Sequence, residues 1–383
     1  MEIILWAGVV LLFYTYIGYP LFLFVLIKII PLKLVALNGE TIDWRSVTLL
    51  VAAYNEEKVI EAKLENSLSL DYPNEFLNII VASDGSTDRT NELIKKYSEQ
   101  DRRIKLLEFP RMGKSKVLNE AIKHIKNDII IFSDANTEYS PDVVKKIIKY
   151  FDDPSVGCVS GRLIYRNPGE AISGKGENFY WRYETMLKKM ESAIGYVAGA
   201  NGALYAIRRE LFSPLPPKTI NDDFTTSMQI VKKGYKSIYE QTAIAYEDVA
   251  PTTKSEFNRH VRDGAGHYIA VLYLTGLLNP LLGVRAFIYL SHRILRWLAP
   301  FILIFLFILN IFLLENWLYR LIFIFQMGFY FSAFLGVALI NRGKLPFFLY
   351  IPFYFSNLNL ALFIGFIKAI TGKQKMEWER TER

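Results

Sequence analysis

The sequence predicts an α/β domain set between an N-terminal membrane helix and a C-terminal helical membrane region. Residues 3–27 hold no charged side chain, and uncharged stretches recur over 297–314, 321–341 and 345–367. Between them the chain becomes charged and alternates short β-branched runs with amphipathic helical stretches. A helix needs about 20 apolar residues to cross a bilayer's hydrocarbon core, and alternating strand and helix signals read as α/β.

The chain has 383 residues, 51% hydrophobic and 22% charged, a composition that excludes disordered, collagenous and disulfide-stapled classes. The lone Cys158 cannot form an internal disulfide, which fits a reducing compartment. The net charge of +7 gathers beside the apolar segments rather than in an aromatic-interleaved patch, which speaks against nucleic acid and for a lipid bilayer.

In order, residues 1–31 read as a retained anchor. The basic residues Lys28 and Lys33 follow the apolar run instead of leading it, which sets the next domain in the cytoplasm. The α/β domain occupies 43–268, an interfacial amphipathic segment 269–296, membrane helices in two or three spans 297–370, and a basic tail 371–383. Both the loop 341–344 and the tail are basic, which one intervening span would put on opposite sides. Pro346, Pro352, Asn357 and Asn359 therefore mark 345–367 as a candidate bent, re-entrant or protein-buried element.

Within the domain, strands are expected over 47–53, 77–83, 104–108, 128–133 and 156–161. Helices are expected over 57–68, 88–97, 116–125 and 141–150, the last with Ser140 as N-cap, and over 224–233, ending at Gly234.

Ligands of open α/β sheets bind beyond the carboxyl ends of the strands. There the sequence reads Tyr54-Asn55-Glu56, Asp84-Gly85-Ser86-Thr87-Asp88 and Ser133-Asp134-Ala135-Asn136, three acidic turns converging on one edge. Each alone is also an ordinary turn or cap. Asp134 and Asn136 offer hard oxygen donors suited to Mg²⁺ or Mn²⁺.

Taken in order, Tyr54-Asn55-Glu56, Asp84-Gly85-Ser86, Gly113-Lys114, Asp134-Ala135-Asn136, Gly199-Ala200-Asn201-Gly202, Asn221-Asp222-Asp223 and Arg259-His260-Val261-Arg262 resemble the family-2 glycosyltransferases. That family includes the membrane synthases of cellulose, chitin, hyaluronan and poly-N-acetylglucosamine. The resemblance implies a Rossmann-like GT-A domain that binds a nucleotide sugar, usually a UDP-sugar, through Tyr54, Glu56, Asp84, Lys114, Asp134, Arg259 and Arg262. It implies a metal at Asp134 and Asn136, the latter standing last in the family's Asp-x-Asp motif, where a neutral amide supplies less charge. Asn221-Asp222-Asp223 is similar to the family's Thr-Glu-Asp triplet, whose last residue is the base of an inverting transfer; this gives Asp223 that role. Trp181, Gly199, Asn201 and Asp222 are the corresponding acceptor residues. Processive relatives carry Gln-x-x-Arg-Trp, and here Asp263 stands where the Trp would be, so processivity stays open.

The implied activity is transfer of a sugar to a growing polysaccharide or a lipid-linked acceptor in cell-envelope glycan synthesis, through self-association or an export partner if polymer is secreted. A non-processive glycolipid-forming transferase is the alternative, and a catalytically inactive membrane-tethered binding module the more distant one.

Overall fold

The computed structural model describes residues 1–29, 44–166, 174–248, 253–340 and 345–374, with backbone alone over 174–180. The basic loop 341–344, the tail beyond 374, Lys33 and the side chains of Phe179 and Tyr180 lie outside the described residues.

Eight strands form one mixed sheet: β1 (Val47–Ala53), β2 (Leu77–Asp84), β3 (Ile104–Phe109), β4 (Ile129–Asp134), β5 (Glu138–Tyr139), β6 (Val156–Arg166), β7 (Tyr205–Arg208) and β8 (Lys236–Asp248). Their order is β3-β2-β1-β4-β7-β6-β8-β5. β3, β2, β1 and β4 run parallel, whereas β7 is antiparallel to β4 and β6, β8 is parallel to β6, and β5 is antiparallel to β8. The five expected strands are present, and β5, β7 and β8 extend the sheet.

β1 is a buried central strand, and its alternation shows which side chain meets which layer. Val47, Leu49 and Val51 pack with Ile60 and Leu64 of α2 (Ile60–Leu68) and Ile94 of α3 (Thr90–Gln100). Leu50 and Ala52 face the other way, onto Val117 and Leu118 of α4 (Lys114–Ile122). Period-2 alternation sorts them, and apolar residues on both faces are what a parallel strand covered by helices demands. After α5 (Val143–Ile148), α6 (Gly174–Ile194) and α7 (Asp222–Lys232) follow. α5 begins two residues beyond the expected Pro141, because the Val143 N–H bonds to the Ser140 carbonyl in a tight turn first and Asp142 takes the N-cap position.

Among the described residues four helices are long and apolar enough to cross a membrane: α1 (Glu2–Ile29), α9 (Val284–Ile311), α10 (Trp317–Leu339) and α11 (Phe347–Thr371). Two expectations change. The chain does not divide at 296/297; its break falls at Gly283 (φ 59), and α9 runs through Arg296 and Trp297 with a π-helical turn at Tyr289–Ile294. The segment containing Pro346 and Pro352 is one continuous helix, with Pro346 at its N-cap and Pro352 absorbed inside. The amphipathic helix α8 (Thr253–Leu274) joins the units. Phe224, Met228 and Val231 of α7 share a core with Ala270 and Leu274 of α8 and Tyr289 and Trp297 of α9. Tyr19 and Leu23 of α1 pack on Leu187 of α6.

Candidate active site

The strand order reverses between β1 and β4, where a doubly wound sheet opens its crevice. The three acidic turns lie at this edge. After β1, the N–H of Glu56 donates to Thr90 Oγ1 (2.8 Å), and Asn55, at φ 53, accepts the N–H of Thr87 (2.8 Å). After β2, the fully buried Asp84 accepts the N–H groups of Met112 (2.7 Å) and Gly113 (3.0 Å) and pairs with Arg111. Gly85, at φ 68, permits this closure, since a Cβ there would come 2.7 Å from the Arg111 nitrogen. The Arg111 guanidinium lies 3.4 Å from the centre of the Tyr54 ring. Tyr54 and Asp84 are thus joined through Arg111, a residue the sequence reading missed.

The loop that Asp84 fixes leads into Lys114 at the start of α4. Lys114 Nζ lies 2.8 Å from Asp134 Oδ1 and 3.3 Å from Asp222 Oδ1, so one cation bridges the end of β4 and the first turn of α7. Burial works against its charge, but Asp134 and Asp222 outweigh this and lift its pKa above the ordinary lysine value. Asp222 itself is pushed up by burial, with Lys114 opposing. Asp223 is pushed up to about 7, first by burial and then by its neighbour Asp222. A general base works best with a pKa near the working pH, and paired carboxylates are one way to reach it. Asp223 sits inside α7; the N-cap position belongs to Asn221. The Asn221 amide instead donates to the Asp263 carbonyl (3.0 Å) and to His267 Nδ1 (2.8 Å) on α8. Burial, with Arg293 adding to it, lowers the His267 pKa to about 4, leaving the ring neutral as the acceptor this bond needs.

Beside Asp223 runs the loop 197–202. Gly199 is at φ 101, and a Cβ there would meet the Phe224 ring at 2.6 Å, so only glycine fits without strain. Ala200 N–H donates to Ser227 Oγ (3.0 Å) and Asn201 N–H to Ser160 Oγ (3.1 Å). Ser227 Oγ in turn donates to the Asp223 carbonyl (2.8 Å), and Gly202 faces the Asp223 carboxylate.

The remaining expected residues stand on other elements. Trp181 is half-buried on α6, edge-on to Tyr165 (ring centres 5.8 Å apart), and Arg259 Nη1 donates to Tyr165 Oη at 2.9 Å. These three form a wall at the end of β6. Arg262 meets Asp263 at 3.4 Å and keeps 40% of its side chain exposed.

Lys63 is a further missed residue. Wholly buried on α2, it donates to Ser133 Oγ and the Thr137 carbonyl, both at 2.7 Å, and so clasps the turn that carries Asp134 and Asn136. Burial lowers its pKa to about 7. Its signal was its position: Ile60, Lys63, Leu64 and Ser67 share the buried stripe of α2.

Whether these side chains suit a divalent cation follows from the donors. Among the described residues no group of three His, Cys, Asp or Glu side chains is arranged to hold a metal. Asp134 and Asn136 supply hard oxygens on one short turn, and Asp134 is half-exposed and shared with Lys114. This set fits a cation that takes its other ligands from diphosphate and water.

The model of glycosyl transferase family 2 matches residues 48–214. This span holds β1, β2, β4, Lys114 and the loop 197–202. Residues 48–214 are thus similar to the family-2 glycosyltransferase domain. Poly-beta-1,6-N-acetyl-D-glucosamine synthase of Staphylococcus aureus is 29% identical over 235 residues, covering 60% of this chain and 56% of that protein. The probable glycosyltransferase YdaM of Bacillus subtilis is 28% identical over 239 residues, with coverages of 59% and 56%. The chain thus spans little more than half the length of these relatives. Among solved structures, the mannosyltransferase PcManGT from Pyrobaculum calidifontis, in complex with GDP-Man and Mn²⁺, superposes with a TM-score of 0.69 at 21% identity, over 97% of this chain and 99% of that one. The fold of the chain is GT-A, with one apolar helix before the α/β domain and a helical region after it.

Proposed function

We propose that this glycosyltransferase is an inverting, metal-dependent enzyme that moves a sugar from a UDP-sugar donor to a polysaccharide or lipid-linked acceptor at a membrane, as part of exopolysaccharide or cell-envelope glycan synthesis. The observation that carries it is Lys114 bridging Asp134 at the end of β4 and Asp222, which stands beside Asp223 in the first turn of α7. Tyr54, Glu56 and Asp84 are assigned to the nucleoside end, Asp84 through the loop it holds, and Lys114 and Asp134 to the diphosphate end. Asp223 takes the proton of the acceptor hydroxyl as that oxygen attacks the anomeric carbon, and the bond to the diphosphate breaks on the opposite face. Asp134 and Asn136 would hold Mg²⁺ or Mn²⁺, which when bound neutralises charge on the departing diphosphate. Gly199, Asn201, Asp222 and Trp181 border the acceptor, and Arg259 and Arg262 are assigned to the diphosphate. The catalytic domain faces the cytoplasm, where nucleotide sugars are available.

A single-sugar transferase is the second reading, and one observation favours it. Asp263, at the position of the acceptor-stacking Trp of processive relatives, pairs with Arg262 instead of offering an aromatic face.

The test is nucleoside diphosphate release by the purified full chain over a panel of UDP-sugars and GDP-mannose with Mg²⁺ or Mn²⁺, beside Asp223→Asn, with product length read on the same samples. Metal-dependent release from one donor, lost by roughly a thousandfold or more in Asp223→Asn, is the expected result; general-base contributions run to about 10²–10⁴. Full activity of Asp223→Asn would remove the base assignment, and release from GDP-mannose alone would replace the donor.

A further inference from the structure

A second polar cluster lies outside the site, where α6 meets the membrane helices. Glu191 of α6 is fully buried. Its Oε1 accepts from Tyr19 Oη of α1 (2.6 Å) and stands 2.5 Å from His292 Nδ1 of α9. Its Oε2 accepts the backbone N–H of Ala198 (2.9 Å), and the carbonyl of that same Ala198 accepts from Arg293 Nε of α9 (2.7 Å). Two turns earlier on α6, Glu184 pairs with Arg296 and stands 3.4 Å from His292 Nε2 and 3.7 Å from Arg293 Nη1. Two carboxylates, three basic side chains and a tyrosine are therefore packed together where apolar residues would hold the helices at less desolvation cost.

Where this cluster ends is informative. Ala198 opens the loop that carries Gly199 and Asn201 to Gly202, under the Asp223 carboxylate. Its peptide groups are held on both sides by residues of the junction, and the next ones are tied to Ser227 and Ser160. Gly199 is pressed on Phe224 in the turn of α7 that holds Asp222 and Asp223, with Arg293 Nη2 3.7 Å from where its Cβ would be. A contiguous set of bonds thus leads from Tyr19 and His292 through Glu191 to the backbone beside the base.

We propose that Glu191 is a positioning residue for the transfer step: with Arg293 it clamps Ala198, so that the placement of α1 and α9 sets the distance between the acceptor loop and Asp223. The proposal rests on the reading of Asp223 as base. A loop displacement of about 1 Å can slow a positioned reaction by ~10²-fold without touching the chemistry, and the nucleoside end, on β1 and β2, is not part of the clamp.

The test uses the full chain in lipid nanodiscs as wild type, Glu191→Gln, Tyr19→Phe, Arg293→Lys and Asp223→Asn. Glu191→Gln keeps size but has one acceptor oxygen for three partners, Tyr19 Oη, His292 Nδ1 and the Ala198 N–H. Three readouts are taken: UDP affinity with Mn²⁺, kcat and KM with UDP-N-acetylglucosamine and a short β-1,6-linked N-acetylglucosamine oligosaccharide, and amide hydrogen exchange over residues 197–202. In Glu191→Gln, exchange over 197–202 rises by about tenfold or more and kcat falls by roughly tenfold to a hundredfold. UDP affinity and β4 exchange stay at wild-type values. Tyr19→Phe gives a smaller change of the same kind, and Arg293→Lys repeats it should Glu191→Gln not fold. Unchanged exchange over 197–202, or a kcat loss that follows UDP affinity, overturns the clamp. If Asp223→Asn retains full activity the base reading falls instead, and if the wild type does not turn over UDP-N-acetylglucosamine the donor is replaced; in either case exchange over 197–202 alone decides whether the clamp exists.

Discussion

Asp223 and Asp222 stand side by side in the first turn of α7, and with Asp223 as the proposed base their coupling sets the expected pH dependence of the transfer. The Asp223 pKa rises from 3.8 to about 7, so ionising it in place costs about 4 kcal/mol more than in water at ~1.36 kcal/mol per pKa unit. Burial is the larger cause and the charge of Asp222 the next, while Lys114 works the other way. A base must be ionised to act, so kcat/KM for the acceptor, at saturating donor and fixed metal, rises with pH through a limb near 7. In Asp222→Asn the repulsion is gone and the limb moves to lower pH, by about one pH unit for ~1.4 kcal/mol of lost repulsion. In Lys114→Met the attraction is gone and the limb moves up. The assay is the initial rate of nucleoside diphosphate release across about pH 5 to 9. Stability has the opposite sign: because the folded pKa is raised, the contribution of Asp223 is fully present below 3.8 and is lost as pH rises through about 7. Asp223→Asn therefore abolishes transfer yet melts no lower than wild type above pH 7. Coincident limbs in the three proteins, or shifts of the same sign for Asp222→Asn and Lys114→Met, would refute the electrostatic argument.

Two further outcomes follow from single contacts. Gly199→Ala forces a side chain into a φ of 101 and drives its Cβ to 2.6 Å from Phe224; the expected loss is about 1–3 kcal/mol of local stability and most of the acceptor turnover, with UDP binding retained, read by thermal melting and steady-state rates. Lys63→Met leaves Ser133 Oγ and the Thr137 carbonyl without the donor they share; the turn holding Asp134 loosens, Mn²⁺-dependent UDP affinity drops by roughly tenfold, and Tm falls as an unmade buried bond costing about 1–3 kcal/mol requires, both measurable by titration calorimetry and melting.

What was legible in the sequence divides along contact range. β1, β2 and β4 were readable because each is a short run rich in β-branched residues ended by a polar turn, and the ligand edge followed from the rule about strand ends. Residues 205–208 and 236–248 gave weaker signals, since β7 is only four residues long and β8 mixes charged with apolar residues along its partly exposed length. The convergence of Asp84, Lys114, Asp134 and Asp222 was inferred from order along the chain, and here it has a specific form: Asp84 holds the backbone that delivers Lys114, and Lys114 joins the other two. Arg111 escaped notice because a lone arginine after a proline carries no periodicity. Lys63 left a trace, a cation in the apolar stripe of a helix, which is costly unless its charge is met from elsewhere.

The contacts that no local pattern reveals are those between Glu191 and His292, 101 residues apart, and between Tyr19 and Glu191, 172 apart. They bear on how the α/β domain and the apolar helices are built as one unit rather than as a head on a tether. A tethered head would need only an anchor, and α1 alone would serve. Instead α7 shares its core with α8 and α9, the N-cap side chain of α7 is bonded to α8, and the peptide groups of Ala198 are bonded to Glu191 and to α9. On both sides of the proposed base, at Ala198 and at Asn221, the chain is thus bonded toward the apolar helices, while Ala200 and Asn201 are tied to Ser227 and Ser160. The nucleoside turns after β1 and β2 are bonded to one another and to the loop before α4. An arrangement that fixes the acceptor side to the bilayer unit and the donor side to the sheet is the one expected when the acceptor comes from the membrane and the donor from the water.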